Sequence, residues 1–127
     1  GGELEAEAIE LAPLKVGEAI VTRGFGLKAK YVIHTVCPRF IYGNDEEESL
    51  LSHSYRSALS LVRDVKDAKS IAFVSLGTGV YRWPAAKAAR IAIRELLQSE
   101  FDSTSLCLAD KATFSAYLEE YNRQVLE

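Results

Sequence analysis

Ser70-Ile71-Ala72-Phe73-Val74-Ser75-Leu76-Gly77-Thr78-Gly79-Val80-Tyr81-Arg82-Trp83-Pro84 is the stretch on which the fold turns. Its first six residues read as a buried strand, with Ile71 to Val74 an unbroken apolar centre. A short loop with two glycines follows. Pro84 then opens a helix, because proline suits the first helical position. Ala85, Ala88, Ala89, Ala92 and Leu96 give that helix an apolar stripe of mostly small residues, which lets it lie close to a sheet. Strand, glycine loop and helix in direct succession are the repeating step of an α/β layer fold.

The same alternation continues on both sides. Upstream, Leu51, Tyr55, Ala58, Leu59, Val62 and Val65 keep helical spacing in a helix that follows the polar stretch Asn44 to Glu48 and ends near Asp67. Arg56, Arg63 and Lys66 mark its wet side. Before it, Tyr31 to Val36 reads as a strand buried on both faces and closed by Pro38, and Glu18 to Thr22 as a shorter strand. The link between those two strands is too short for a crossover helix, so they should pair antiparallel. The later strands are joined through helices and should run parallel. Glu3 to Ala12 reads as a helix with Leu4, Ala8 and Leu11 on one face. Downstream, Thr104 to Leu108 is a further buried strand. Asp110 is placed to cap a last helix whose inner face should hold Phe114, Leu118, Tyr121 and Val125.

Bulk composition fits one soluble domain spanning residues 1–127. Hydrophobic residues make up 48% and charged residues 26%, enough apolar content for a single core. A net charge of −3 without a basic cluster argues against binding nucleic acid through its backbone. No apolar run approaches the ~18 residues of a membrane span, and the Glu-rich start does not have the pattern of a signal peptide. Cys37 and Cys107 read as small buried residues in a reducing compartment, and no metal-ligand spacing accompanies them. A cytoplasmic protein with no metal or cofactor is expected. His34, in mid-strand, reads as a packed core residue.

In such folds ligands bind beyond the carboxyl ends of the strands. The loops after Val36, Ser75 and Leu108 all qualify. Gly77 to Tyr81 stands out, because glycines let backbone N–H groups approach an anion and the following helix start adds its positive end. The loop lacks the Gly-Lys-Ser/Thr of a P-loop and the third glycine of the dinucleotide fingerprint. Taken alone, such a loop is more often a plain turn.

Several linked segments go further. Gly17-Glu18-Ala19-Ile20-Val21-Thr22, then Leu27 to Pro38, Tyr55-Arg56 with Leu59, Ser70 to Phe73, Gly77 to Tyr81 and Trp83-Pro84 resemble the macro domain family in order and spacing, and Gly2 to Leu11 resembles its first helix. The resemblance implies a three-layer α/β/α macro-domain-like fold with a mixed, mostly parallel sheet. It also implies ADP-ribose or an ADP-ribosylated protein as the partner. Gly77, Thr78, Gly79, Val80 and Tyr81 would hold the diphosphate and the terminal ribose. Arg82 stands where a glycine is common, its side chain expected in solvent, and Trp83 should cover the helix start. Ala109, with Asp110, falls where an aromatic residue usually meets adenine, and an alanine cannot stack.

The family's opening strands and asparagine-rich turn have no counterpart here, so the resemblance places this chain as the larger, C-terminal part of the fold. The absent second strand would lie between those matching Tyr31–Val36 and Ser70–Ser75. Three outcomes are open: a contracted sheet, another chain (a homo-oligomer) that completes it, or a longer native chain of which these residues are a part. Full-length relatives include ADP-ribosyl and O-acetyl-ADP-ribose hydrolases. No catalytic position of the family is matched, so this chain alone is expected to be inactive. An inactive module acting through association is the competing reading.

Overall fold

A computed structural model of the chain describes residues 15–23, 31–64, 70–76, 81–99, 103–108 and 111–126. The expected helix over Glu3 to Ala12 lies outside them, as do Gly77 to Val80, Ala109 and Asp110.

Strand β1 (Ala19–Arg23) pairs antiparallel with β2 (Tyr31–Thr35), from Ala19 opposite Thr35 to Arg23 opposite Tyr31. The amide of Gly17 donates to the carbonyl of Val36 at 2.7 Å and carries the pairing past the strand ends. Gly17 has φ +90°, and a Cβ there would stand 2.8 Å from the His53 ring. Only glycine meets both conditions without strain. Helix α1 (Asp45–Arg63) packs on both strands and on α2 (Ala85–Gln98). It buries Leu51, Tyr55, Ala58, Leu59 and Val62 as the spacing requires, leaves Arg56 and Arg63 exposed, and ends a few residues before the expected Asp67.

Strands β3 (Ser70–Val74) and β4 (Ser103–Cys107) form a parallel pair joined through α2. The parallel pairing expected of the later strands is therefore present here. No ladder joins β2 to β3 among the described residues, where the strands stand as two separate pairs. The expectation of burial on both faces is corrected for β2 and β3. Tyr31 is exposed and the rest of β2 only half-buried, while Ile71 and Phe73 turn inward and Ser70 and Ala72 face water. An apolar run is buried on both faces only where something covers both. Phe73 meets the Tyr55 ring, centroids 5.3 Å apart, whereas Ser70 and Ala72 stay wet.

Helix α3 (Lys111–Leu126) packs against α2. Its inner face is also corrected. Phe114, Leu118, Tyr121 and Val125 are 54%, 49%, 45% and 46% exposed, and the buried positions are Tyr117 and Glu120. Polar contacts set this rotation. Gln124 donates through Nε2 to the carbonyl of Arg90 at 3.1 Å, and the Tyr117 hydroxyl lies 2.6 Å from Ser75 Oγ. The core sits between α1 and α2, where Ala88, Ala89, Ile91 and Ala92 are fully enclosed.

Candidate functional site

The segment that leaves β3 and the segment that leaves β2 are tied together. Trp83 is buried at the start of α2 and donates through Nε1 to the carbonyl of Pro38 at 2.8 Å. Its ring meets Phe40 edge-on, centroids 5.1 Å apart. The amide of Phe40 donates to the carbonyl of Tyr81 at 3.0 Å, and the Arg39 guanidinium lies 5.7 Å from the centre of the Tyr81 ring. Trp83 thus covers the helix start, as its sequence position suggested. Tyr81 is half-buried and packs against the core. Arg82 is exposed and has φ +64°, the left-handed region that costs a non-glycine residue roughly 1–2 kcal/mol. This is the position where the resemblance expects glycine.

The other flank of the loop is held by tyrosines. The amide of Leu76 donates to the hydroxyl of Tyr55 at 3.3 Å. The Tyr117 hydroxyl, from α3, lies 2.6 Å from Ser75 Oγ on the same flank. Burial pushes the Tyr55 phenol well above its ordinary value and raises that of Tyr117 as well, so both keep their protons. Sequence reading took Tyr55 as part of a core stripe and did not single out Tyr117 or Ser75. The signal that could have found them is chemical: a tyrosine in an otherwise aliphatic stripe brings a hydroxyl that needs a partner when buried.

Of the residues expected to contact ligand, Tyr81 is placed beside Arg39 and Phe40, in the segment that follows β2. Gly77, Thr78, Gly79, Val80, Ala109 and Asp110 lie outside the described residues. Helix α2 begins at Pro84 with no side-chain cap and no acidic residue in its first turn, and Lys87 sits there instead. Such a start favours an anion through its amides and its dipole.

Other chemistry is poorly supplied. Burial raises the Cys37 thiol, against a smaller lowering by Ser54, so it is a poor nucleophile. The acidic stretch after β2 is committed to structure: Glu47 accepts from the amides of Ile41, Tyr42 and Gly43, and Glu48 pairs with Arg90. His34 is half-buried opposite Ile20. Among the described residues no group of three or more His, Cys, Asp and Glu side chains could hold a metal ion. Two clefts, of about 260 and 570 Å³, share Arg56 and Ser60 on α1 and touch neither Ser75, Leu76 nor Tyr81.

Residues 1–92 match the Macro domain family. The chain belongs to that family. A macro domain-containing protein of Mesorhizobium japonicum is 37% identical over 123 residues, covering 93% of this chain and 69% of the relative. O-acetyl-ADP-ribose deacetylase 1 of Pantoea vagans is 38% identical over 99 residues, covering 78% of this chain but only 53% of that protein. A mutant Oceanobacillus iheyensis macrodomain solved with ADPR superimposes with a TM-score of 0.85 at 33% identity, covering 98% of this chain and 69% of its own. The α/β architecture is thus that of macrodomains.

Proposed function

We propose that this chain binds ADP-ribose, or a derivative with the same diphosphate, through Gly77, Thr78, Gly79, Val80 and Tyr81. The observation that carries the reading is the start of α2. It follows a glycine loop whose two flanks are fixed by Tyr55 and Phe40, and it holds neither a capping side chain nor an internal acid. The amides of a glycine loop and a helix start together suit a diphosphate. A macrodomain of 33% identity solved with ADPR supports the choice of ligand. Ala109 and Asp110 would lie on the adenine side, where alanine offers no stacking surface, so most of the affinity falls to the diphosphate and ribose. Amide NMR tests this division. ADP-ribose should shift Leu76, Tyr81 and Ala85 strongly and adenosine should not. Equal shifts from both ligands would count against a diphosphate site.

One relative is named O-acetyl-ADP-ribose deacetylase 1, which supports reading this chain as related to ADP-ribosyl and O-acetyl-ADP-ribose hydrolases. For this chain alone we expect no hydrolysis, because Glu47 and Glu48 are committed elsewhere. Release of ADP-ribose from a modified protein well above background would contradict that. A cytoplasmic setting belongs to the same proposal. No helix among the described residues is long and apolar enough to cross a membrane.

A second reading, an inactive module acting through association, draws on the half-exposed stripe Phe114, Leu118, Tyr121 and Val125 and on the separate strand pairs. It predicts a dimer by light scattering and no response to ADP-ribose.

A further inference from the structure

Three elements converge at the end of β3, and they do so through hydroxyl groups. Tyr55 comes from α1 and Tyr117 from α3, and both are enclosed. The Leu76 amide donates to Tyr55. Tyr117 and Ser75 share a further bond of 2.6 Å. Aliphatic packing would fill this space equally well, so the hydroxyls serve some purpose other than volume. Tyr55 and Tyr117 are enclosed, where an unmade hydrogen bond is expensive and a made one is geometrically demanding. Their common product is a fixed position for Ser75 and Leu76, the two residues from which the glycine loop departs.

We infer that Tyr55 and Tyr117 are positioning residues: their two hydroxyls hold Leu76 and Ser75, so that the backbone enters the following glycine loop in the arrangement that suits an anion. This rests on the reading of Gly77 to Tyr81 as a diphosphate site. The phenols never touch ligand in this account. They act as a rigid support shared by two helices, the kind of backing that keeps a binding loop in its productive geometry before the ligand arrives. Tyr81, at the loop's other end, is held separately through Phe40 and Arg39. Removing the two hydroxyls therefore frees one end of the loop and leaves the other tied.

The test uses Tyr55→Phe and Tyr117→Phe in the full chain, with amide exchange and ADP-ribose titration measured on each. Tyr55→Phe should speed exchange at Leu76 about tenfold or more, with α1 and α2 unchanged, and should weaken ADP-ribose binding about 3- to 10-fold, the range of one lost hydrogen bond. Tyr117→Phe should do the same to a smaller degree. A merely structural role would speed exchange across α1, β3 and α2 together and leave the affinity of the folded protein unchanged; that pattern overturns the inference. So does unaltered exchange at Leu76 in both variants. Should the unsubstituted chain fail to bind ADP-ribose, the functional reading falls, while exchange at Leu76 still decides whether the two hydroxyls position the loop. Should Tyr55→Phe not fold, Ser75→Ala removes the partner of the Tyr117 hydroxyl and carries the same two readouts.

Discussion

Helices α1 and α2 each follow a strand after a loop, α1 beginning at Asp45 after β2 ends at Thr35 and α2 at Ala85 after β3 ends at Val74, yet their starts are built in opposite ways. Asn44 caps α1 by accepting the amide of Glu47 at 2.9 Å, and the first turn holds Asp45, Glu46, Glu47 and Glu48. Glu47 turns back to take the amides of Ile41, Tyr42 and Gly43. The protein supplies its own anion there, and the amides are spent. At α2 no side chain caps the helix, no acid stands in the first turn, and Lys87 adds positive charge. The chain just before it, at Arg82, is held in a left-handed conformation. A helix start completed from within is architecture, whereas one without an internal anion can accept one from outside. This contrast is what favours reading the start of α2 as an anion site.

Four substitutions would sharpen or break the contrast. Asn44→Ala should have the largest effect on stability, a loss of about 1 kcal/mol by urea unfolding, because it removes the cap of α1. It should leave ADP-ribose binding alone. Arg82→Gly should raise stability by roughly 0.5–1 kcal/mol, the relief of left-handed backbone less the added freedom of the unfolded chain. No gain in urea unfolding would mean that Arg82 makes a compensating contact. Ala86→Glu places an acid on an exposed first-turn position of α2 and so imitates α1. It should stabilise the fold by about 0.5 kcal/mol while weakening ADP-ribose binding. An affinity unchanged by that acid would break the comparison.

Glu47 gives the smallest effect, visible only against pH. Partial desolvation raises its carboxyl, but the amides of Tyr42, Gly43, Ile41 and Asn44 outweigh this and hold it below 4.5. Its contribution is therefore present above about pH 4.5 and is lost as pH falls through the lower folded value. Urea unfolding between about pH 3 and 6 should show stability rising with pH in the unsubstituted chain and a shallower rise in Glu47→Gln. Equal slopes would show that the carboxylate adds nothing at this end.

Most of the architecture was legible in the sequence, because periodicity and turn residues act locally. The antiparallel pairing of β1 with β2 follows from a link too short for a crossover, and the parallel pairing of β3 with β4 from the helix between them. The buried face of α1 follows from its spacing. Helix α3 shows the boundary of that method. The spacing of Phe114, Leu118, Tyr121 and Val125 identifies an apolar stripe, but spacing says nothing of what the stripe faces. Its rotation is decided by Gln124 on Arg90 and by Tyr117 on Ser75, contacts made across 34 and 42 residues of chain. The site divides in the same way. The glycine loop announces itself locally. The tyrosines that support it come from two distant helices, and the strain at Arg82 is a property of the folded backbone that a residue name does not carry.

Calorimetric titration of the chain with ADP-ribose, beside Gly79→Glu, tests the central claim most directly. The account predicts saturable one-to-one binding in roughly the micromolar range, about −8 kcal/mol, and its loss when a carboxylate is placed in the loop. Absence of heat or of competition in the unsubstituted chain, or equal affinity in Gly79→Glu, would contradict it.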